Sequence, residues 1–370
     1  MTEFAFDLAM PGDDEKILRL LRENPVPGRI SISYERVPSY FQGCEIMGHF
    51  HQTLVARHLP SNEIAGLAGR SLRRMYINGE VENVGYLGQL RVDHRFRSRW
   101  LVSGGFRFLR GLHGDLRTRG YLTTIIEDNR EAKGVLVDRA RPHFPIYRPL
   151  THLNTLALPV RSIRIPCLGG VEVRKGRVSD LDDIVAFFRS YGAIRQFFPV
   201  HGATDFLPES PRTRGLLPSD FHMAVKGGRI AGVIALWDQS SFKQSVVRGY
   251  NGYLRWGRQF YNWLMLGRGF RPLPGLGDEI AHAYAAFICI ADNDLRLFDL
   301  LLRCQIAEAS ERGLTYLMVG MTDEDPLLPA VRSHPHLAYR SRLYSVSWGD
   351  GSEFHDRLDK RIKHVEIATL

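Results

Sequence analysis

The run from Gly88 to Leu136 limits what this chain can fold into more than any other stretch. An apolar strand, Tyr86-Leu-Gly-Gln-Leu-Arg-Val92, enters a loop dense in arginine, with Arg95, Arg97 and Arg99. A small-residue turn, Ser103-Gly104-Gly105, opens an amphipathic helix, and a second strand, Tyr121 to Ile126, runs out into Glu127-Asp128-Asn129. That order sets backbone N–H groups, a helix N-terminus and guanidinium groups around one anion-sized hollow, which is what a pyrophosphate requires. The segment therefore points to a phosphate-bearing cofactor.

The same segment resembles the acyl-CoA loop of the Gcn5-related N-acetyltransferases. In that family a strand ending Leu-x-Val leads into Arg/Gln-x-x-Gly-x-Gly/Ala, then a helix, then a strand with Asn and Ala at its exit. The matching positions are Leu90, Val92, Arg97, Asn129 and Ala132; Trp100 and Val102 stand where the family has small residues, and Leu136 where a tyrosine often acts as general acid. The resemblance implies a mixed-sheet α/β fold in which Tyr86–Val92 and Tyr121–Glu127 form a splayed central pair. It implies that the main chain of Leu90, Arg91 and Val92 contacts pantetheine and thioester. Arg97, Ser98, Arg99, Trp100, Leu101, Val102, Ser103, Gly104 and Gly105 would then surround the pyrophosphate. Asn129 would bond the pantetheine amides; the alternative is a cap on a helix starting near Arg130.

Element order repeats along the chain, so two tandem GNAT-like domains are expected, residues 1–165 and 166–370. In the first, a strand at Phe4–Ala9 precedes a helix over Glu15–Arg22 and extended segments at Gln52–Arg57 and Glu63–Ile77. The second restarts at Val171, with a helix from Ile184, a hairpin around Gly227-Gly228, a strand Ala283–Ile290, a helix Leu295–Arg312 and a strand Thr315–Val319. Arg141 to Gly170 is rich in breakers and joins the halves, with the apolar run Leu153–Val160 inside it as a candidate closing strand. Arg342–Trp348 and His364–Thr369 read as a closing strand pair. Where the first half has its arginine loop, the second has Ala291-Asp-Asn-Asp294 and no glycine. Carboxylates there repel a pyrophosphate, so the second domain is expected to be degenerate for CoA and to shape the acceptor site.

A net charge of +9 is concentrated in two places, Arg91–Arg119 and residues 240–277. Local patches argue for local anions rather than a nucleic-acid surface, so nucleic acid is an unlikely partner. The 240–277 insertion interleaves eight aromatic residues with six basic ones and has no acid. It admits three readings: a lid over the groove between domains, a membrane-surface helix, or a contact for nucleic acid or protein. Cys44, Cys167, Cys289 and Cys304 lack metal spacing and read as buried free thiols. No metal is expected. Without a leader or an apolar run of about 18 residues, the expected location is the cytoplasm.

Acyl transfer needs an oriented thioester, a neutral amine, and donors for the oxyanion and departing thiolate. Glu82, Tyr86 and Glu127 are the candidates for taking the amine proton. The reading is an N-acetyltransferase that moves an acyl group from acetyl-CoA or another acyl-CoA to a primary amine on a small molecule or peptide. Aminoacyl transfer from tRNA, or a non-catalytic membrane-associated scaffold, are the alternatives; oligomeric state is not read from the sequence.

Overall fold

The computed structural model describes residues 3–96, 99–138, 144–252, 254–266 and 271–370, with the side chains of residues 99, 100, 261 and 264–266 also outside the description. The first half runs β1 (Phe4–Leu8), α1 (Asp14–Glu23), β2 (Ile30–Glu35), α2 (Tyr40–Cys44), β3 (Phe50–His58), β4 (Glu63–Ile77), β5 (Glu80–Val92), α3 (Arg99–His113), β6 (Tyr121–Ile126), α4 (Arg130–Leu136) and β7 (Ile146–Pro159). The second runs β8 (Val171–Lys175), α5 (Leu181–Gly192), β9 (Phe221–Lys226), β10 (Arg229–Asp238), β11 (Gln244–Tyr250), α6 (Leu254–Leu266), β12 (His282–Ile290), α7 (Leu295–Glu311), β13 (Tyr316–Thr322), α8 (Leu328–Arg332), β14 (Leu337–Ser347) and α9 (Glu353–Asp356).

Twelve strands form one mixed sheet in the order β1-β3-β4-β5-β6-β14-β7-β13-β12-β10-β9-β8. The halves meet by exchange. β14, from the second half, lies between β6 and β7, and β7 in turn pairs with β13. Arg342–Trp348 is thus a strand, but it completes the first half's sheet. His364–Thr369 is not its partner; that segment leaves the sheet and ends in a single turn at Ile367–Thr369.

Both faces of the sheet are covered, which is why strands such as Ile230-Ala-Gly-Val-Ile-Ala-Leu236 are apolar throughout rather than alternating. On one face α1, α2 and α5 share a single core, with Ile17, Leu20, Tyr40, Ile184 and Phe188 packed against Leu67, Tyr86, Val233 and Phe287. On the other face α3 covers Leu54, Leu87 and Tyr121, and α7 covers Ile234, Leu236 and Leu317. Both glycines of the β9–β10 turn have positive φ, 55° and 76°, as a tight primed hairpin demands. Of the four thiols three are buried and Cys167 is exposed, because it lies in the coil between the halves.

Candidate active site

β5 and β6 run parallel but pair only at Gly85–Tyr121 and Tyr86–Leu122. Beyond that, β4 holds β5 as far as Val92 and β14 holds β6 as far as Ile126, so the two strands are drawn apart from their outer sides. Thr123 closes the apex by donating to the Leu87 carbonyl at 2.7 Å. A bulge sharpens the divergence: Gln89 and Leu90 both oppose Ala68, since Gly69 pairs with Gly88 and Leu67 with Arg91. Gln89 takes a left-handed φ of 58°, a conformation a non-glycine residue holds only when its surroundings impose it. Here the Tyr40 hydroxyl donates to Gln89 Oε1, fixing the side chain. The result is the expected splayed pair, with Leu90 39% exposed in its mouth. Arg91 donates to the Leu90 carbonyl at 2.9 Å and lies near Tyr34 and Tyr339; burial lowers its pKa. Val92 turns to the α3 face beside Leu101. An opened strand pair of this kind offers main-chain amide and carbonyl groups to an extended amide-bearing ligand.

The glycine at 88 has a specific use. A Cβ there would sit 2.7 Å from the Tyr86 ring, which leans along β5 toward the gap. The Tyr86 hydroxyl therefore reaches across to Thr124 on β6, sharing a 2.7 Å hydrogen bond. Burial raises the Tyr86 pKa, so its proton is retained at neutral pH.

Past Val92, Arg95 turns back to Asp93, with Nη2 to Oδ2 at 2.7 Å, and so is not free for an external anion. Arg97 and Ser98 lie outside the described residues, as do the side chains of Arg99 and Trp100. α3 already begins at Arg99, so Ser103, Gly104 and Gly105 lie within the helix rather than forming a turn ahead of it. Gly104 serves packing: a Cβ would meet the Phe6 ring of β1 at 2.3 Å, so its absence lets the helix settle on the sheet. Val102 packs with the α3-face core.

The other candidate residues are each engaged. Glu82 accepts from Arg357 Nη1 at 2.8 Å, tying β5 to the chain after α9. Glu127 stands at the exit of β6, 3.2 Å from His152 Nε2 and 3.5 Å from Arg340 Nε. Asp323, at the equivalent exit of β13, shares the same His152 and Arg340. Asn129 accepts from Ala132 N at 2.9 Å and caps α4.

Sequence reasoning missed a buried polar cluster on the α1/α5 face. Tyr86, Arg73, His364 and Glu366 line one small cavity between the sheet and the C-terminal segment. Arg73 donates to the Met47 carbonyl at 2.6 Å and to Thr369, and burial brings its pKa down to about 10. Burial pushes Glu366 up to about 7 and holds Lys243 well below its usual value. Apart from Tyr86, already a candidate, Arg73, Lys243 and Glu366 look like ordinary surface charges in the sequence; the one available signal was the weakly polar run Val365-Glu-Ile-Ala-Thr-Leu370, where a lone acid sits among residues suited to burial.

The second half repeats the geometry. β12 and β13 pair in parallel only from His282–Tyr316 to Tyr284–Met318, and Phe287 and Ile288 bulge opposite Ile234, with Phe287 at φ 54°. This gap is filled. Glu366 Oε2 accepts the Phe287 N–H at 2.7 Å, and Gly320 lets Ile367 approach β13 so closely that a Cβ would stand 2.2 Å from it. Phe287 is 2% exposed. The N-terminus of α7 is also taken: Asp294 accepts from the N–H groups of Arg296 and Leu297 at 2.9 and 3.1 Å.

The insertion differs from a single helix. β11 pairs with β2 of the first half as a separate two-stranded sheet, and α6 follows it. Arg248 reaches Glu35 and donates to Ser33 at 2.9 Å, so the strand rather than the helix bridges the two halves.

No family model and no curated protein matches the sequence. Among solved structures, the chain is similar to a GCN5-related N-acetyltransferase from Sphaerobacter thermophilus (13% identity, TM-score 0.60, covering 100% of this chain and 99% of that one). It is likewise similar to N-myristoyltransferase from Saccharomyces cerevisiae with bound myristoyl-CoA (10%, 0.63, 99% and 85%). A third similarity is to the glucosamine N-acetyltransferase region of a fungal multi-domain β-N-acetylglucosaminidase (12%, 0.61, 93% of this chain and 38% of that one). The chain has the GCN5-related N-acetyltransferase fold, over its whole length and in tandem.

Proposed function

We propose that this tandem fold is an acyl-CoA-dependent N-acyltransferase, carrying an acyl group, acetyl in the simplest case, to a primary amine. The cofactor enters the β5–β6 gap, and residues 166–370 shape the acceptor side without holding CoA. One observation carries the reading: two equivalent bulged gaps exist, and among the described residues the C-terminal segment takes the bulge N–H of the second, whereas at the first Tyr40 bonds only the Gln89 side chain. The similarity to a myristoyl-CoA complex supports an acyl-CoA ligand.

The amine attacks the thioester carbon, the C–S bond breaks, and CoA leaves as the thiol. Tyr86 keeps its proton because it is buried, so it serves as a donor to the departing thiolate rather than as the base. Glu366 shares a cavity with it, is buried, and sits near neutrality, which suits a group that receives the amine proton. Glu82 and Glu127 keep their ion pairs with Arg357 and Arg340.

Calorimetric titration of the full chain with CoA and acetyl-CoA tests this. One site per chain in the micromolar range is expected, about −8 kcal/mol. Two equivalent sites would remove the distinction between halves, and absence of binding would remove the function. Tyr86→Phe should then lower kcat by roughly 10- to 100-fold with CoA affinity intact.

A further inference from the structure

Helix α6 turns three aromatic side chains away from the protein. Trp256, Phe260 and Trp263 are 85%, 68% and 70% exposed. At spacings of four and three they fall on one face of the 13-residue helix. The rings of Phe260 and Trp263 stack at 6.1 Å, and the Arg255 guanidinium lies 5.2 Å from the Trp256 ring.

The opposite face is fixed. Leu254 is buried against Val247, Tyr250 and Leu273. Asn262 Oδ1 accepts from Leu273 N at 2.8 Å, and Arg258 donates to the Pro274 carbonyl at 2.6 Å. The helix is thus a shelf pinned by its inner side, and the aromatic face is displayed rather than folded onto the groove.

Large aromatic residues bury roughly 150–250 Å² each, so three together form a patch at the upper end of what a monomer leaves uncovered. Its charge surroundings are one-sided. From Gln239 to Gly277 the chain has no acid; of its basic residues Lys243, Arg248 and Arg258 are engaged inward, while Arg255 and Arg271 are exposed, and Asp278, just beyond, is occupied by the Gly275 N–H at 2.8 Å, with Glu279 following it. Leu276, 68% exposed, adds a further apolar residue in the loop after the helix. Tryptophan and phenylalanine between cationic side chains on an anchored amphipathic helix match a bilayer surface, where rings sit at headgroup depth and arginines meet lipid phosphates and carboxylates. No helix among the described residues is long and apolar enough to cross a membrane, so α6 would lie on the surface.

We propose that the Trp256/Phe260/Trp263 face of α6, with Arg255 beside it and Arg271 exposed in the loop that follows, docks on an anionic phospholipid bilayer. The inference stands apart from the acyl-transfer reading, since it uses none of the residues of the β5–β6 gap.

The test is co-sedimentation of the full chain with phosphatidylcholine vesicles, with and without phosphatidylserine, alongside tryptophan fluorescence. Binding to the phosphatidylserine vesicles, a blue-shifted emission and release at high salt are expected. Arg255→Glu with Arg271→Glu should weaken partitioning by at least about tenfold, taking roughly fivefold per neutralised arginine. Trp256→Ser, Phe260→Ser and Trp263→Ser together should abolish it while circular dichroism and CoA titration stay unchanged. No binding of the wild-type chain, or equal binding by the triple variant, overturns the proposal. So does a wild-type dimer that the triple variant converts to monomer, or tRNA retention that it loses, since either gives the face another occupant.

Discussion

The two gaps in the sheet are built alike and end in opposite states. Each follows a parallel pair only two or three residues long, and each carries a positive-φ bulge, at Gln89 and Phe287. Around Phe287 the rings of Phe188, Phe206, Phe221 and Trp237 close the interior, and Glu366 takes the bulge N–H. Around Leu90 the chain leaves an exposed mouth. The helix starts differ in sequence in the same sense: Asp294 uses the α7 N–H groups, whereas the sequence leading into α3 carries Arg95, Arg97 and Arg99. A parted strand pair is therefore a capacity, and whether it receives a ligand depends on whether the protein has already supplied an internal one.

The sharpest way to break that contrast is at the loops. Arg97→Ala with Arg99→Ala should weaken CoA binding by roughly 2 to 4 kcal/mol, taking about 1 to 2 for each charge-assisted contact, while Arg296→Ala in the second half should leave it unchanged. Equal effects from both loops in a calorimetric titration would show that they are not distinct.

Next is the internal ligand itself. Glu366 titrates near 7 in the folded chain, because of burial, against about 4.3 unfolded. The folded state thus holds more protons between those values, and unfolding free energy should fall as pH rises from about 4.3 to 7, by on the order of 3 kcal/mol. Glu366→Gln should flatten that dependence in urea titrations at pH 5 and 7.5. A slope that persists in the variant would assign the proton elsewhere.

Smallest is the fit of the plug against β13. Gly320→Ala forces Ile367 outward and should cost about 1 to 3 kcal/mol of stability. A neutral result would mean the C-terminal segment shifts freely, and the second gap would then be closable rather than closed.

Much of this was legible locally. β6 occupies the span its apolar run announces, and the β9–β10 hairpin follows from Gly227-Gly228. The splayed pair came with the resemblance carried by Leu90, Val92 and Arg97. What stayed hidden depends on distant partners. Neither bulge residue is glycine, so nothing in the chain marks a left-handed backbone at Gln89 or Phe287; neighbouring strands impose it. Val365 to Thr369 has a strand-like composition, and only the contacts of Glu366 with Phe287 and of Arg73 with Thr369 make it a plug. Ser103-Gly104-Gly105 read as a turn because glycine marks turns, whereas Gly104 is glycine for the sake of Phe6.

The exchange of β7 and β14 has a consequence for how the molecule is made. β6 finds its neighbour in Leu337–Ser347, more than two hundred positions along the chain. Contacts of such long sequence separation are slow to form and must wait for the intervening polypeptide. During synthesis the β5–β6 gap exists only as one unsupported wall until β14 emerges and draws β6 aside. A chain cut after residue 165 would present β6 and β7 as bare edges, each ready to pair with another molecule. The half that surrenders its own gap is the chaperone in cis of the half that keeps one.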